Sequence, residues 1–256
     1  MPLPDVQQIV TAAAFTGVRI GGVMVFAPFT GSDSISAPVK AVLTLALTAL
    51  IYPVTPVVAI DTGTLGWTRI VAGEAVIGLA LGLLLQFSFE AAQFAGQLFG
   101  MQTGFSLVTL LDPQSRADSP SLAVFTRLMA LLIFLQLDVH HCMLRGVAAS
   151  FSYLPPGQIG GLGLLSAGML RSAAGLWLAG LQMAAPVLAA TLLVDIALGL
   201  VGKAAPQLPA TLAGLPVKSL LGLMVVALTA RGWPGLMERQ FTAAISGAGH
   251  LLHLTK

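Results

Sequence analysis

Cysteine is almost absent: Cys142 stands alone among 256 residues, so neither an internal disulfide nor a cysteine-built metal cluster can form. Charge is nearly as scarce. Only 9% of the residues are Asp, Glu, Lys or Arg, against about 25% in soluble domains. No stretch is hydrophilic enough to fold as a separate soluble domain. The formal net charge of +2 is a small imbalance among few ionisable groups, which gives no nucleic-acid footprint. No Lys or Arg precedes Arg19, and a cleaved signal peptide needs a basic leading region, so the first apolar segment is expected to be retained. Catalytic motifs are missing too. There is no glycine-rich phosphate loop, no His-Glu zinc motif and no serine nucleophile elbow. Neither catalytic residues nor a cofactor is expected.

Apolar sequence fills the chain instead. A hydrophobic content of 56% and a mean hydropathy of +0.91 indicate an all-α membrane-type protein. Six apolar blocks follow one another, at about 6–29, 38–60, 67–99, 122–153, 164–201 and 212–229. Pro53 and Pro56 break the far end of the second. The third and fifth exceed a bilayer; at 1.5 Å per residue the third would reach roughly 50 Å, against a hydrocarbon core of about 30 Å. Pro186 predicts a kink in the fifth. Block four ends at Pro155-Pro156-Gly157, a glycine-rich joint covers 157–163, and an amphipathic tail, GLMERQFTAAISGAGHLLHLTK, follows block six. The chain reads as a single helical unit without an internal repeat, and its charges leave the orientation open.

Polar residues inside these blocks are the functional candidates. Gln86, Glu90, Gln93 and Gln97 recur at spacings of 4, 3 and 4, which sets all four on one helical face. Lipid cannot satisfy them, so they either hydrogen-bond between helices or line an aqueous path. They lead into MQTGFSLVTLLDPQSRADSP, residues 101–120, too polar to span lipid and too apolar in its centre for a plain loop, which favours the path. Arg19, Glu74, Arg127, Arg171 and Asp195 lie within blocks. Each is a functional candidate or one half of a structural ion pair, and their spread suggests helices that face other subunits or water. Gly17/Gly21, Gly78/Gly82 and Gly96/Gly100/Gly104 are spaced for close helix packing. Asp138, His140 and His141 raise a metal reading. Adjacent histidines project roughly 100° apart on a helix and no third strong ligand follows at helical spacing, so no metal is expected and the group reads as a polar end of block four.

Three segments carry a specific resemblance: GMQTGFSLVTLLDPQSRADSPSLA at 100–123, FLQLDVHHCMLRGVAASFSYLPPG at 134–157 and LGLVGKAAPQLPATLAGLPVK at 198–218. In order and position they resemble the FliR/SctT family of type III secretion export-apparatus subunits, and the likeness extends less specifically over essentially the whole chain. Val139 stands where the flagellar members often have glycine.

The resemblance implies a non-enzymatic core subunit of the flagellar type III protein export gate, with 1–157 as a FliP-like part, 164–230 as a FliQ-like helical hairpin and 231–256 as the tail. It implies assembly with FliP and FliQ into a closed cone, with FlhB wrapped round the base and FlhA below, passing unfolded flagellar proteins. The place would be the bacterial inner membrane at the centre of the flagellar basal body, partly on the periplasmic side. The loop 101–120 would plug the lumen through Thr103, Gly104, Phe105, Ser106, Leu107, Val108, Thr109, Leu110, Leu111, Asp112 and Pro113, beside the polar stripe Gln86 to Gln97. Lys203, Pro206, Gln207 and Lys218 would lie at a cytoplasmic hairpin tip near FlhB. The competing readings are the equivalent subunit of a virulence injectisome, a stand-alone multi-pass secondary transporter, which should carry an inverted repeat, and an intramembrane enzyme, for which no acid/base pair or nucleophile assembles.

Overall fold

Prolines, glycines and the length of each apolar run decide where the helices begin and end. The computed structural model describes residues 6–28, 35–55, 63–104, 121–157, 162–205 and 210–254. The first block forms α1 (Val6–Phe26). The second forms α2 (Ala37–Ile51), entered from an extended Ser36 with proline in its first turn and closed by a 3-10 turn, Tyr52–Val54, that contains Pro53. With 15 residues α2 falls short of the roughly 20 that a span needs.

The third block is one unbroken helix, α3 (Thr64–Thr103), of 40 residues, or about 60 Å. Gly104 ends it with a φ of 83°, the left-handed conformation that closes many helices. Met101, Gln102 and Thr103 are therefore the last turn of α3 rather than loop. Block four divides into α4 (Ser121–Gln136) and α5 (Val139–Tyr153). Asp138, at φ 52° and ψ 25°, takes a conformation no helix interior allows, so the group expected at the end of one helix sits at a break between two. The last two blocks give α6 (Leu162–Ala204) and α7 (Ala210–Thr229), each continuing through an internal proline, Pro186 and Pro216. A 3-10 turn, Ala230–Gly232, joins α7 to the tail helix α8 (Trp233–Leu254).

No strand occurs among the described residues. Among the described residues four stretches are long and apolar enough to cross a membrane, Val6–Phe26, Gly66–Thr103, Gly168–Ala204 and Gly214–Gly247, and α4 with α5 would make a fifth as a broken span.

The chain forms two compact units, each assembled from separated parts of the sequence. The first, Met1–Phe87 with Asp138–Ala174 and Phe241–Lys256, is centred on Ile20, Val23, Met24, Ile51, Val147 and Phe151. There α1 meets α3 backbone to backbone: a Cβ on Gly78 would lie 2.1 Å from the Arg19 carbonyl oxygen, and one on Gly22 would lie 2.9 Å from that of Ala75. The second unit, Ser88–Leu137 with Gly175–Gln240, packs small residues and aromatics. Ala91, Ala92, Ala95, Ala123, Ala130 and Ala184 are buried, Phe89 meets Phe134 edge to face, and Phe99 stacks on Trp233 with ring centroids 6.0 Å apart.

Candidate functional site

The described residues on either side of segment 105–120 pack within the second unit. At its start, the Thr103 side chain is fully buried and its hydroxyl donates to the Phe99 carbonyl at 2.7 Å. The Ser219 hydroxyl, from α7, donates to the Thr103 carbonyl, one of the last carbonyls of α3, which no helical N–H can satisfy. Gly222, one turn further along α7, makes room for the Thr103 methyl group; a Cβ there would come within 2.2 Å of it. At the far end, α4 lies against Gly96 of α3, where a Cβ would collide with Thr126 Oγ1, Ala123 Cα and the Leu122 carbonyl oxygen. Phe99, Trp233 and Phe125 add an aromatic cluster beside these contacts.

Of the expected plug residues, Thr103 and Gly104 are thus an anchor and a turn. Phe105, Ser106, Leu107, Val108, Thr109, Leu110, Leu111, Asp112 and Pro113 lie outside the described residues. Ser219 and Gly222 belong to the site and escaped sequence reasoning. Their one signal is a small hydroxyl and a glycine three residues apart in a largely apolar helix.

The polar stripe is half-buried at all four positions, Gln86, Glu90, Gln93 and Gln97. Leu84, Ser88, Ala91, Ala95 and Phe99, on the opposite side of the same helix, are buried. The amides and the carboxylate thus lie on the side of α3 turned away from its densest packing. The Gln93 Oε1 atom is buried and has no hydrogen-bond partner among the described residues. Such a group needs a donor from water, another chain or the residues outside those described.

The charges within the blocks separate into different roles. Arg19 and Glu74 are both fully buried and paired at 2.6 Å. Arg19 also donates to Ser150 Oγ at 3.0 Å and to the Leu154 carbonyl at 2.9 Å, with its guanidinium 4.0 Å over the Phe151 ring. This network joins α1, α3 and α5 within the first unit. Arg127 is half-buried in α4 and Arg171 is exposed on α6. Asp195 is bound to Lys218 at 2.7 Å. Lys218 therefore sits in the body of α7, paired, and apart from the hairpin tip. Lys203 is exposed in the last turn of α6, where a cation complements the helix dipole, and Pro206 and Gln207 lie outside the described residues.

Asp138, His140 and His141 converge at the start of α5. A ligand atom from each lies within 4.8 Å of the other two, with Asp138 left-handed at the N-cap of α5.

Comparison with known proteins agrees in one direction. The profile of bacterial export proteins, family 1, matches residues 10–244. The flagellar biosynthetic protein FliR of Escherichia coli strain K12 is 31% identical over 213 residues, covering 82% of this chain and 80% of that one. FliR of Pectobacterium carotovorum is 29% identical over 88% of this chain and 86% of its own. FliR of Bacillus subtilis is 36% identical over 156 residues, 60% of each chain.

Proposed function

Because this chain belongs to the bacterial export proteins, family 1, membrane components of protein export, we propose that it is a core subunit of the flagellar type III export gate. In this reading it contributes segment 105–120 as a luminal plug. Likeness to flagellar FliR proteins over more than four-fifths of the chain carries the proposal, and the anchoring of the segment at Thr103–Ser219 and Gly96–Thr126 supports the plug. The supports on either side of 105–120 belong to one packed unit. Its apolar centre, Phe105, Leu107, Val108, Leu110 and Leu111, would exclude water and ions, while Gln86, Glu90, Gln93 and Gln97 would line a wet lumen.

Export through such a gate draws on no chemistry in this chain. The driving energy enters through other subunits, and the partners are FliP-like and FliQ-like subunits with FlhB at the base and FlhA below. The setting is the inner membrane at the basal-body centre, partly on its periplasmic side, with the α6–α7 tip towards the cytoplasm and FlhB.

Deleting residues 105–111 tests the plug. Ion leakage across the membrane should rise while assembly with the FliP-like and FliQ-like subunits persists; an undisturbed seal removes the plug role. Ser219→Ala, which frees the Thr103 carbonyl, should give a smaller leak in the same assay and lower stability by about 1 kcal/mol.

A further inference from the structure

The turn between α4 and α5 holds a side-chain cluster that the export reading does not use. Asp138 is the N-cap of α5 but makes no capping hydrogen bond, although an aspartate there ordinarily accepts from the backbone N–H two or three residues on. Its Oδ1 atom faces two imidazoles instead, at 3.3 Å from His141 Nδ1 and 3.9 Å from His140 Nε2. The two rings lie with centroids 4.1 Å apart. A hydrogen bond to one histidine would explain one ring; two rings converging on one carboxylate oxygen call for something shared between them.

We propose that Asp138, His140 and His141 form a binding site for a divalent transition metal of the zinc, cobalt or nickel kind. The donor set decides the class. Two imidazole nitrogens with one carboxylate oxygen suit these ions, whereas magnesium and calcium take oxygen ligands. Bonds of about 2.0–2.2 Å at tetrahedral or octahedral angles put neighbouring ligand atoms about 3.0–3.5 Å apart. The Asp138–His141 separation already falls there, the Asp138–His140 separation needs to close by roughly half an ångström, and the two imidazole nitrogens, within 4.8 Å of each other, need to close by up to about 1.5 Å. Asp138 and His141 are exposed and His140 is half-buried, so water can complete the shell and the ion can exchange. Bound metal would hold Asp138 in its left-handed conformation and stiffen the break between α4 and α5.

The test uses the full chain in detergent, carrying an affinity tag without histidine, stripped with chelator and titrated with cobalt(II) and zinc(II). The expected result is one equivalent per chain at about micromolar affinity, with a cobalt absorption band. Loss of an outer-sphere partner weakens metal sites by about 10–100-fold, so Asp138→Asn, His140→Gln and His141→Gln should each weaken binding at least tenfold. The remaining histidines, His250 and His253, are the control: His250→Gln with His253→Gln should bind as the original chain does. Zinc should also protect His140 and His141 of the unaltered chain from carbethoxylation, read by mass spectrometry, which needs no variant to fold. Absence of saturable binding below about 100 µM, unprotected His140 and His141, or binding that survives the double change His140→Gln/His141→Gln overturns the site.

Discussion

Arg19 engages all three of its guanidinium nitrogens, on Glu74, Ser150 and the Leu154 carbonyl, and covers the Phe151 ring. Glu74 gives one oxygen to this network, and its Oε1 atom has no hydrogen-bond partner among the described residues. Removing one member of a buried pair leaves the other uncompensated. Arg19→Leu or Glu74→Leu alone should destabilise the chain by about 3–5 kcal/mol, and the double replacement should recover most of that loss. Thermal unfolding in detergent across the four proteins measures the coupling; additive losses would show that the charges act independently. Sequence reading found both residues because each is an ion inside an apolar block. Their pairing was not legible, since Glu74 lies 55 positions from Arg19 and Ser150 lies 131 away, and only packing brings them together. The left-handed Asp138 was not legible for a related reason. Angles around a helix apply only while the helix continues, and nothing in LDVHH announces a left-handed residue when valine follows the aspartate.

Helix ends were the most readable elements, because proline and glycine act locally. Pro53 in the turn that closes α2 and Gly104 after α3 stop their helices through backbone geometry alone. The break in block four carries neither signal and so passed unseen. Helix contacts were legible only as spacing. Gly78 and Gly96 mark true close approaches, whereas Gly17 and Gly21 meet Thr48 and Thr44 at ordinary distances of 3.5 and 3.8 Å. Substitution should separate contact glycines from incidental ones. Gly78→Ala must push α1 away from α3 and should lower stability by about 1–3 kcal/mol. Gly175→Ala, inside α6 with nothing within 4 Å of the new methyl, should raise it by up to about 1 kcal/mol. Unfolding midpoints followed by circular dichroism decide between the two signs.

An isolated chain leaves a large apolar surface uncovered on α6 and α7. Leu192, Leu193, Ile196, Leu200, Val217, Leu220, Met224 and Leu228 are each more than half exposed, and Ala190, Leu193, Val194, Ala197, Leu221, Met224, Val225 and Leu228 line a groove of about 400 Å³. Lipid or a neighbouring subunit has to cover it. On the export-gate reading, Leu220→Gln with Met224→Gln should lower recovery of the assembled complex severalfold while the amount of chain in the membrane stays the same. Unchanged recovery would assign this face to lipid. The candidate site was half legible: its polar stripe and its position before 105–120 stand in the sequence, but the α7 anchor does not, because Ser219 lies 116 residues from Thr103. The buried Arg19–Glu74 pair also bears on biosynthesis. Neither side chain can enter hydrocarbon alone without a penalty of several kcal/mol, and their separation of 55 residues takes the ribosome about 3–11 s to translate at about 5–20 residues per second. An α1 that entered lipid before α3 was made would carry that cost for the whole interval, and entry of α1 together with α3 avoids it.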